Sequence, residues 1–106
     1  MTTDFLTVLT TTDSREAAEA LARSAVAARL AACAQVDGPV TSTYWWQGKL
    51  ESAQEWRVLC KTTAGRYPEL EEHIRANHSY DTPEVIATPI ASGSAGYLAW
   101  VASEVG

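Results

Sequence analysis

The chain has little of what marks several broad classes of protein. It holds only two cysteines, Cys33 and Cys60, too few for a disulfide scaffold and without the close spacing of a zinc motif. Eight Lys and Arg stand against thirteen Asp and Glu, and the formal charge of −5 repels nucleic acid. The sequence also lacks a run of eighteen apolar residues and a signal-peptide pattern. We therefore expect a cytoplasmic protein with free thiols that binds neither nucleic acid nor membrane.

What is present is an ordinary globular composition of 106 residues, 46% of them hydrophobic. This length suits one domain, so residues 1–106 are expected to share a single core. No nucleophile elbow, P-loop or dinucleotide fingerprint occurs in the sequence. An acylphosphatase-like hydrolase would need an anion-binding loop after the first strand, where residues 10–13 are acidic and free of glycine. The chain is therefore predicted not to be an enzyme.

Apolar periodicities predict seven elements in the order β-α-β-β-α-β-α. Asp13 is the expected N-cap of the first helix, with Glu16 completing a capping box. In chain order we expect a strand at 5–11, a helix at 14–29, a strand at 30–36 that resumes at 40–46, a strand at 49–62, a helix at 66–77, an edge strand at 84–90 and a closing helix at 97–104. This order predicts an α+β fold, a ferredoxin-like βαββαβ sandwich with an extra C-terminal helix. Its first and third strands should be central, and two helices should cover one face.

The hairpin between the second and third strands is rich in aromatic side chains. Tyr44, Trp45, Trp46 and Trp56 lie within thirteen residues, which is more than one core of this size needs. The predicted sheet also has one face that its two helices leave bare. We therefore expect copies of the chain to associate through the hairpin aromatics.

Two segments carry a resemblance to a known family. Residues 42–51 read STYWWQGKLE and residues 78–86 read HSYDTPEVI, and together with 30–33 and 61–63 they resemble the CutA family. The resemblance covers nearly the whole chain. It implies a cytoplasmic homotrimer, PII-like in assembly, that is associated with tolerance to divalent cations, copper above all. A PII-like signalling trimer that binds a small molecule between subunits is the alternative function, and neither function is enzymatic.

The same resemblance points to His78 as the metal ligand. Some members carry a cysteine and a second histidine where this chain has Thr10 and Asn77, so His78 alone remains of that set. A single imidazole is a weak site, and we expect weak binding of Cu²⁺ or another divalent transition metal. The other interpretation of His78 is a role at the end of the second helix, where an imidazolium opposes the dipole and bonds the last carbonyls.

The remaining chemically active side chains are predicted to be structural. Cys33 and Cys60 are expected to fill the core, and Cys60 should share a strand face with Trp56 and Val58. A Cu(I) site between the two thiols is the alternative, although an apolar pocket opposes their deprotonation. His73 is predicted to face solvent, because its spacing from His78 does not form a metal pair on one helix face.

Overall fold

The computed structural model describes residues 5–106, and the predicted order of elements is confirmed there. The elements are β1 (Phe5–Thr12), α1 (Arg15–Ala27), β2 (Cys33–Trp46), β3 (Lys49–Thr63), α2 (Tyr67–Ala76), β4 (Ile86–Pro89) and α3 (Ala95–Glu104), with a 3-10 turn at Ala64–Arg66 before α2.

The strands form one antiparallel sheet in the order β2-β3-β1-β4. The prediction that the first and third strands are central is confirmed, as is the edge position of β4. This last strand is only four residues long and ends at Pro89. Proline has no amide hydrogen to donate to a neighbouring strand, so it suits an edge.

The core lies between one face of the sheet and the helices α1 and α2. Val58 and Cys60 are two residues apart on β3, so both side chains point to this face, and both are buried. Leu70 and Ile74 are four residues apart on α2, so both lie on the helix face that packs against this core. The prediction that Cys60 faces the core is therefore confirmed. Burying each large aliphatic side chain of this kind contributes about 1.5–3 kcal/mol to stability.

The opposite face of the sheet is covered at one end by α3. Val101 of this helix and Val105, which follows its last residue, are buried with Ala32, and Phe5 of β1 packs against them. Phe5 is an odd-numbered residue of β1, whereas Val8 faces the core, so alternation places Phe5 on the side away from α1 and α2. The face that was expected to be bare is therefore bare only in part.

The first helix begins one residue later than predicted. Ser14, not Asp13, has the extended N-cap conformation, and its hydroxyl accepts the amide hydrogen of Ala17 at 3.0 Å. Glu16 lies in the first turn beside the helix dipole instead of completing a capping box. The helix also ends before Arg29, whose φ of +63° lies in the left-handed region that often follows a helix.

Strand β2 contains a bulge at Gly38-Pro39, where the sequence predicted an interruption. Between Asp37 and Val40 the strand advances three residues while β3 advances two, so one residue of β2 is extra. Side chains of β2 that follow the bulge therefore exchange faces relative to those before it.

Gly38 is the residue that makes this bulge possible. Its φ of +144° is rarely adopted by residues with a side chain. A Cβ at this position would lie 2.9 Å from Trp56 Cδ1 and 3.0 Å from the carbonyl oxygen of Glu55. The backbone of β3 and the indole of Trp56 thus pass directly over Gly38.

Beyond the bulge, residues 40–55 form what we call the hairpin extension. Strand β3 pairs with β1 only from Trp56 to Thr63, so the strands of the extension pair only with each other. The extension accounts for the elongated form of the chain, which measures 44 × 25 × 22 Å over the described residues. Residues of the two strands that lie opposite one another share a face, and Trp45 lies opposite Leu50 while Trp46 lies opposite Lys49.

We predict that Gly38→Ala destabilises the folded protein by about 1–3 kcal/mol, because the new methyl group meets backbone atoms and the backbone conformation is strained. Chemical denaturation should show a lower midpoint with an unchanged slope. Gly65→Ala is the matched control, because a Cβ there meets nothing within 4 Å. Equal stability of the two variants would contradict this account of the bulge.

Candidate functional site

His78 lies in the segment between α2 and β4, against the end of β1. Its Nδ1 accepts the amide hydrogen of Tyr80 at 3.1 Å, and its Nε2 lies 2.7 Å from the carbonyl oxygen of Thr11. An amide N–H can only donate and a carbonyl oxygen can only accept. These partners therefore assign a neutral imidazole that carries its hydrogen on Nε2 and donates it to Thr11.

Tyr80 extends the arrangement from His78 to the hairpin. Its ring lies 4.8 Å from the imidazole, centroid to centroid, and its hydroxyl donates to Glu55 Oε2 at 2.9 Å. Burial, and secondarily the Glu55 carboxylate, raise the pKa of Tyr80, so the phenol stays protonated as a donor. We call the side chains of His78, Tyr80 and Glu55, together with the Thr11 carbonyl, the His78 latch.

Glu55 is the member of the latch that sequence reasoning missed. It is separated from Tyr80 by 25 residues and from the other side chains of the segment by a whole helix. No local signal marks it, because the alternation of side chains along β3 does not distinguish Glu55 from the other polar residues of that strand. Only the strand order, which brings the end of β1 between β3 and β4, places the segment near it.

Thr10 and Asn77, at which the family resemblance suggested that further ligands were missing, have other surroundings here. Thr10 is fully buried, so its hydroxyl does not open to solvent within the subunit. Asn77 is exposed, and its side-chain amide donates to the carbonyl oxygen of His73 at 2.8 Å. Asn77 thus occupies the end of α2, and the interpretation of His78 as the partner of the last helical carbonyls is wrong, since His78 bonds β1.

The donors within residues 5–106 of one chain do not complete a metal centre. Across residues 5–106, no three His, Cys, Asp or Glu side chains are grouped closely enough to hold a metal ion. His78 offers a single imidazole, and the lone pair of that imidazole already accepts from Tyr80. A metal ion held by His78 would therefore have one protein nitrogen and would need its remaining ligands from elsewhere.

The two cysteines have different surroundings, and the prediction that both fill the core holds only for Cys60. Cys33 is half-buried on the opposite face of the sheet, where its sulfur lies 3.9 Å from Lys61 Nζ and 3.9 Å from the Tyr97 hydroxyl. Burial raises the pKa of the Cys60 thiol to about 11. Because consecutive side chains of β2 and β3 alternate between faces, the two thiols point to opposite sides of the sheet.

The prediction that His73 faces solvent is wrong. It is half-buried, and its Nε2 lies 2.8 Å from the hydroxyl of Ser24 on α1. Ser24 donates its own hydrogen to the carbonyl oxygen of Leu21, so His73 donates to Ser24. The packing of α1 against α2 decides this contact, and helical spacing alone does not reveal which helix faces which.

Fold and site together define a class: a small α+β protein with one antiparallel sheet, a hairpin that extends past it and a single histidine latched at the sheet end. The family model described as "CutA1 divalent ion tolerance protein" matches residues 6–104. The chain therefore belongs to the CutA family.

Individual relatives agree with this assignment. The divalent-cation tolerance protein CutA of Thermus thermophilus is 42% identical over 99 residues, which are 93% of this chain and 96% of the relative. The solved structure from that organism superposes with a TM-score of 0.94 and covers 96% of this chain and 99% of its own. The chloroplastic protein CutA 1 of Oryza sativa is 41% identical over 96 residues. Those residues are 91% of this chain, which spans about half, 54%, of the rice protein.

A third relative bears on location. The structure titled periplasmic divalent cation tolerance protein CutA from Archaeoglobus fulgidus has a TM-score of 0.93 and 34% identity, and it covers 96% of this chain and 99% of its own. The names of this protein and of the rice protein place these two relatives in the periplasm and the chloroplast. The cytoplasmic location expected for this chain thus stays a prediction. None of the helices within 5–106 has the length and apolar character needed to cross a membrane.

We predict that a thiol-alkylating reagent at pH 8 modifies Cys33 well before Cys60 in the folded protein. With a pKa of about 11, roughly one Cys60 thiol in a thousand is ionised at pH 8, and the group is also shielded from the reagent. Peptide mass spectrometry after timed quenching measures both rates. Equal rates in native buffer would contradict the assignment, and equal rates in denaturant are the control.

Proposed function

We propose that this chain acts as a non-enzymatic, homotrimeric divalent-cation tolerance protein that binds Cu²⁺ or another divalent transition metal weakly through His78. Membership of the CutA family supports the tolerance function. The observation that carries the assembly is the hairpin extension, which presents large apolar side chains on a two-stranded ribbon that extends past the sheet.

The exposed area of the extension is large for a monomer. Trp45 is 73% exposed, Trp46 58% and Leu50 64%, and Tyr44 beside them is also exposed. A two-stranded ribbon alone is marginally stable in water, and contiguous exposed apolar patches mark interfaces. If a surface of another copy covered these side chains, the apolar patch would be removed from water and the ribbon would gain packing contacts.

The distribution of the aromatics favours a closed ring over a pair. Trp45 lies on one face of the ribbon with Leu50, whereas Tyr44 and Trp46 lie on the other. One flat contact covers only one of these faces. A ring in which each extension lies between neighbouring subunits covers both, and this agrees with the homotrimer that the family resemblance implies.

Metal binding in this proposal is weak because one nitrogen per subunit supplies it. The formal charge of −5 favours the approach of cations to the subunit without selecting among them. Selection then depends on the imidazole, and a nitrogen ligand favours Cu²⁺ over Zn²⁺ and the other common divalent ions. The PII-like alternative is not proposed, because none of the relatives described above is a PII protein.

We expect light scattering to give about three times the 11.4 kDa mass of the chain at micromolar concentration. Replacing Trp45 with Ser, together with Leu50→Ser, should lower both the trimer fraction and the melting temperature, because the interface loses its largest apolar contacts. Thr41→Ala, on the same ribbon face and exposed, is the matched control and should change neither. A monomeric parent protein, or a double variant that assembles and melts like the parent, would overturn the trimer proposal.

For the metal, we expect His78→Ala to weaken Cu²⁺ binding by at least tenfold in titration calorimetry, since it removes the only nitrogen donor of the site. His73→Ala is the control, because it removes the other histidine of the chain. The trimer fraction is measured on the same samples. If His78→Ala binds Cu²⁺ as well as the parent, the ligands lie elsewhere.

A further inference from the structure

The His78 latch ties together three parts of the chain: the end of β1, the segment after α2 and the root of the hairpin extension. We propose that the closed latch and metal ligation by His78 exclude one another, so that the Tyr80–Glu55 hydrogen bond sets how weakly the protein binds a divalent metal. This inference rests on the proposed function, since it takes His78 as the ligand.

The first step is a count of lone pairs on the imidazole. A neutral imidazole has one nitrogen lone pair, and in the latch it is that of Nδ1, which accepts from the Tyr80 amide. Ligation through Nδ1 therefore requires the Tyr80 amide to withdraw. Ligation through Nε2 first requires the proton to move from Nε2 to Nδ1, which ends the bond to the Thr11 carbonyl and also removes the acceptor of the Tyr80 amide. Either route breaks a bond of the latch.

The second step concerns what holds the Tyr80 amide in place. The hydroxyl of the same residue is fixed to Glu55 at 2.9 Å, and its ring lies against the imidazole. Moving the Tyr80 amide away from His78 also moves the Tyr80 side chain, whose hydroxyl is hydrogen-bonded to Glu55 on β3. The free energy of the Tyr80–Glu55 bond therefore adds to the cost of opening the latch.

The third step is thermodynamic reciprocity. If an intact Tyr80–Glu55 bond weakens metal binding by some factor, bound metal weakens that bond by the same factor. Glu55 lies opposite Val40, where the hairpin extension leaves the sheet. Metal occupancy at His78 is thus linked to the anchoring of the root of the extension.

The test measures the affinity of Cu²⁺ alone, in a non-coordinating buffer, for the parent trimer and for Tyr80→Phe. This variant removes the hydroxyl that reaches Glu55 and keeps the amide that faces His78. We expect its affinity to rise about three- to tenfold, which is the net worth of one hydrogen bond. Tyr67→Phe is the matched control, because Glu71 contributes to the raised pKa of Tyr67 as Glu55 does to that of Tyr80. The Cu²⁺ affinity of this variant should match that of the parent.

A second measurement uses only the parent protein. Hydrogen exchange of the Tyr80 amide, followed by NMR with and without saturating Zn²⁺, should show that protection falls at least several-fold when the metal is bound. Unchanged protection at saturation would overturn the inference, as would a Tyr80→Phe affinity equal to or below that of the parent. If His78→Ala alone loses metal while Tyr80→Phe is unchanged, the latch inference fails and the proposed function stands. If His78→Ala binds like the parent, both fail together.

Discussion

The arrangement of this subunit depends on a mismatch of length between two paired strands. Strand β3 has fifteen residues and β1 has eight, so β3 serves the sheet with one half and the hairpin extension with the other. The half that pairs with β1 carries Val58 and Cys60 into the core. The other half pairs only with β2, and the exposed aromatic side chains of that arm of β2 favour contact with a further surface. The fold of the subunit and its proposed assembly thus follow from one continuous strand.

Much of this fold could be predicted from the sequence, because local chemistry decides it. The hairpin between the second and third strands, the alternation that buries Cys60 and the edge position of the last strand all depend on neighbours in the chain. The cap of α1 was missed by one residue because Asp13 and Ser14 are both good cap residues, and only backbone conformation chooses between them. The continuity of β2 through Gly38-Pro39 was also missed, because it depends on pairing with β3.

The candidate site was likewise predictable from the sequence only in part. His78 was identified from the sequence, but its hydrogen bonding depends on residues that are distant in the chain. Thr11 is 67 positions from His78, and Glu55 is 25 positions from Tyr80. Periodicity carries no information about such distant pairs, so the latch, and Glu55 within it, could not have been predicted. For the same reason Asn77, considered only as a missing ligand, proves to satisfy the end of α2. Contacts between remote segments decide which chemistry an imidazole has available.

The bulge at Gly38-Pro39 also limits how this architecture can change in length. Since it fixes which face each side chain of the extension presents, a single residue added to or removed from one arm would turn Trp45 and its neighbours to the wrong sides. Two residues added to each arm would preserve the faces and lengthen the ribbon by about 6–7 Å. The reach of the extension can therefore vary between related proteins only in steps of this size, with the root held constant.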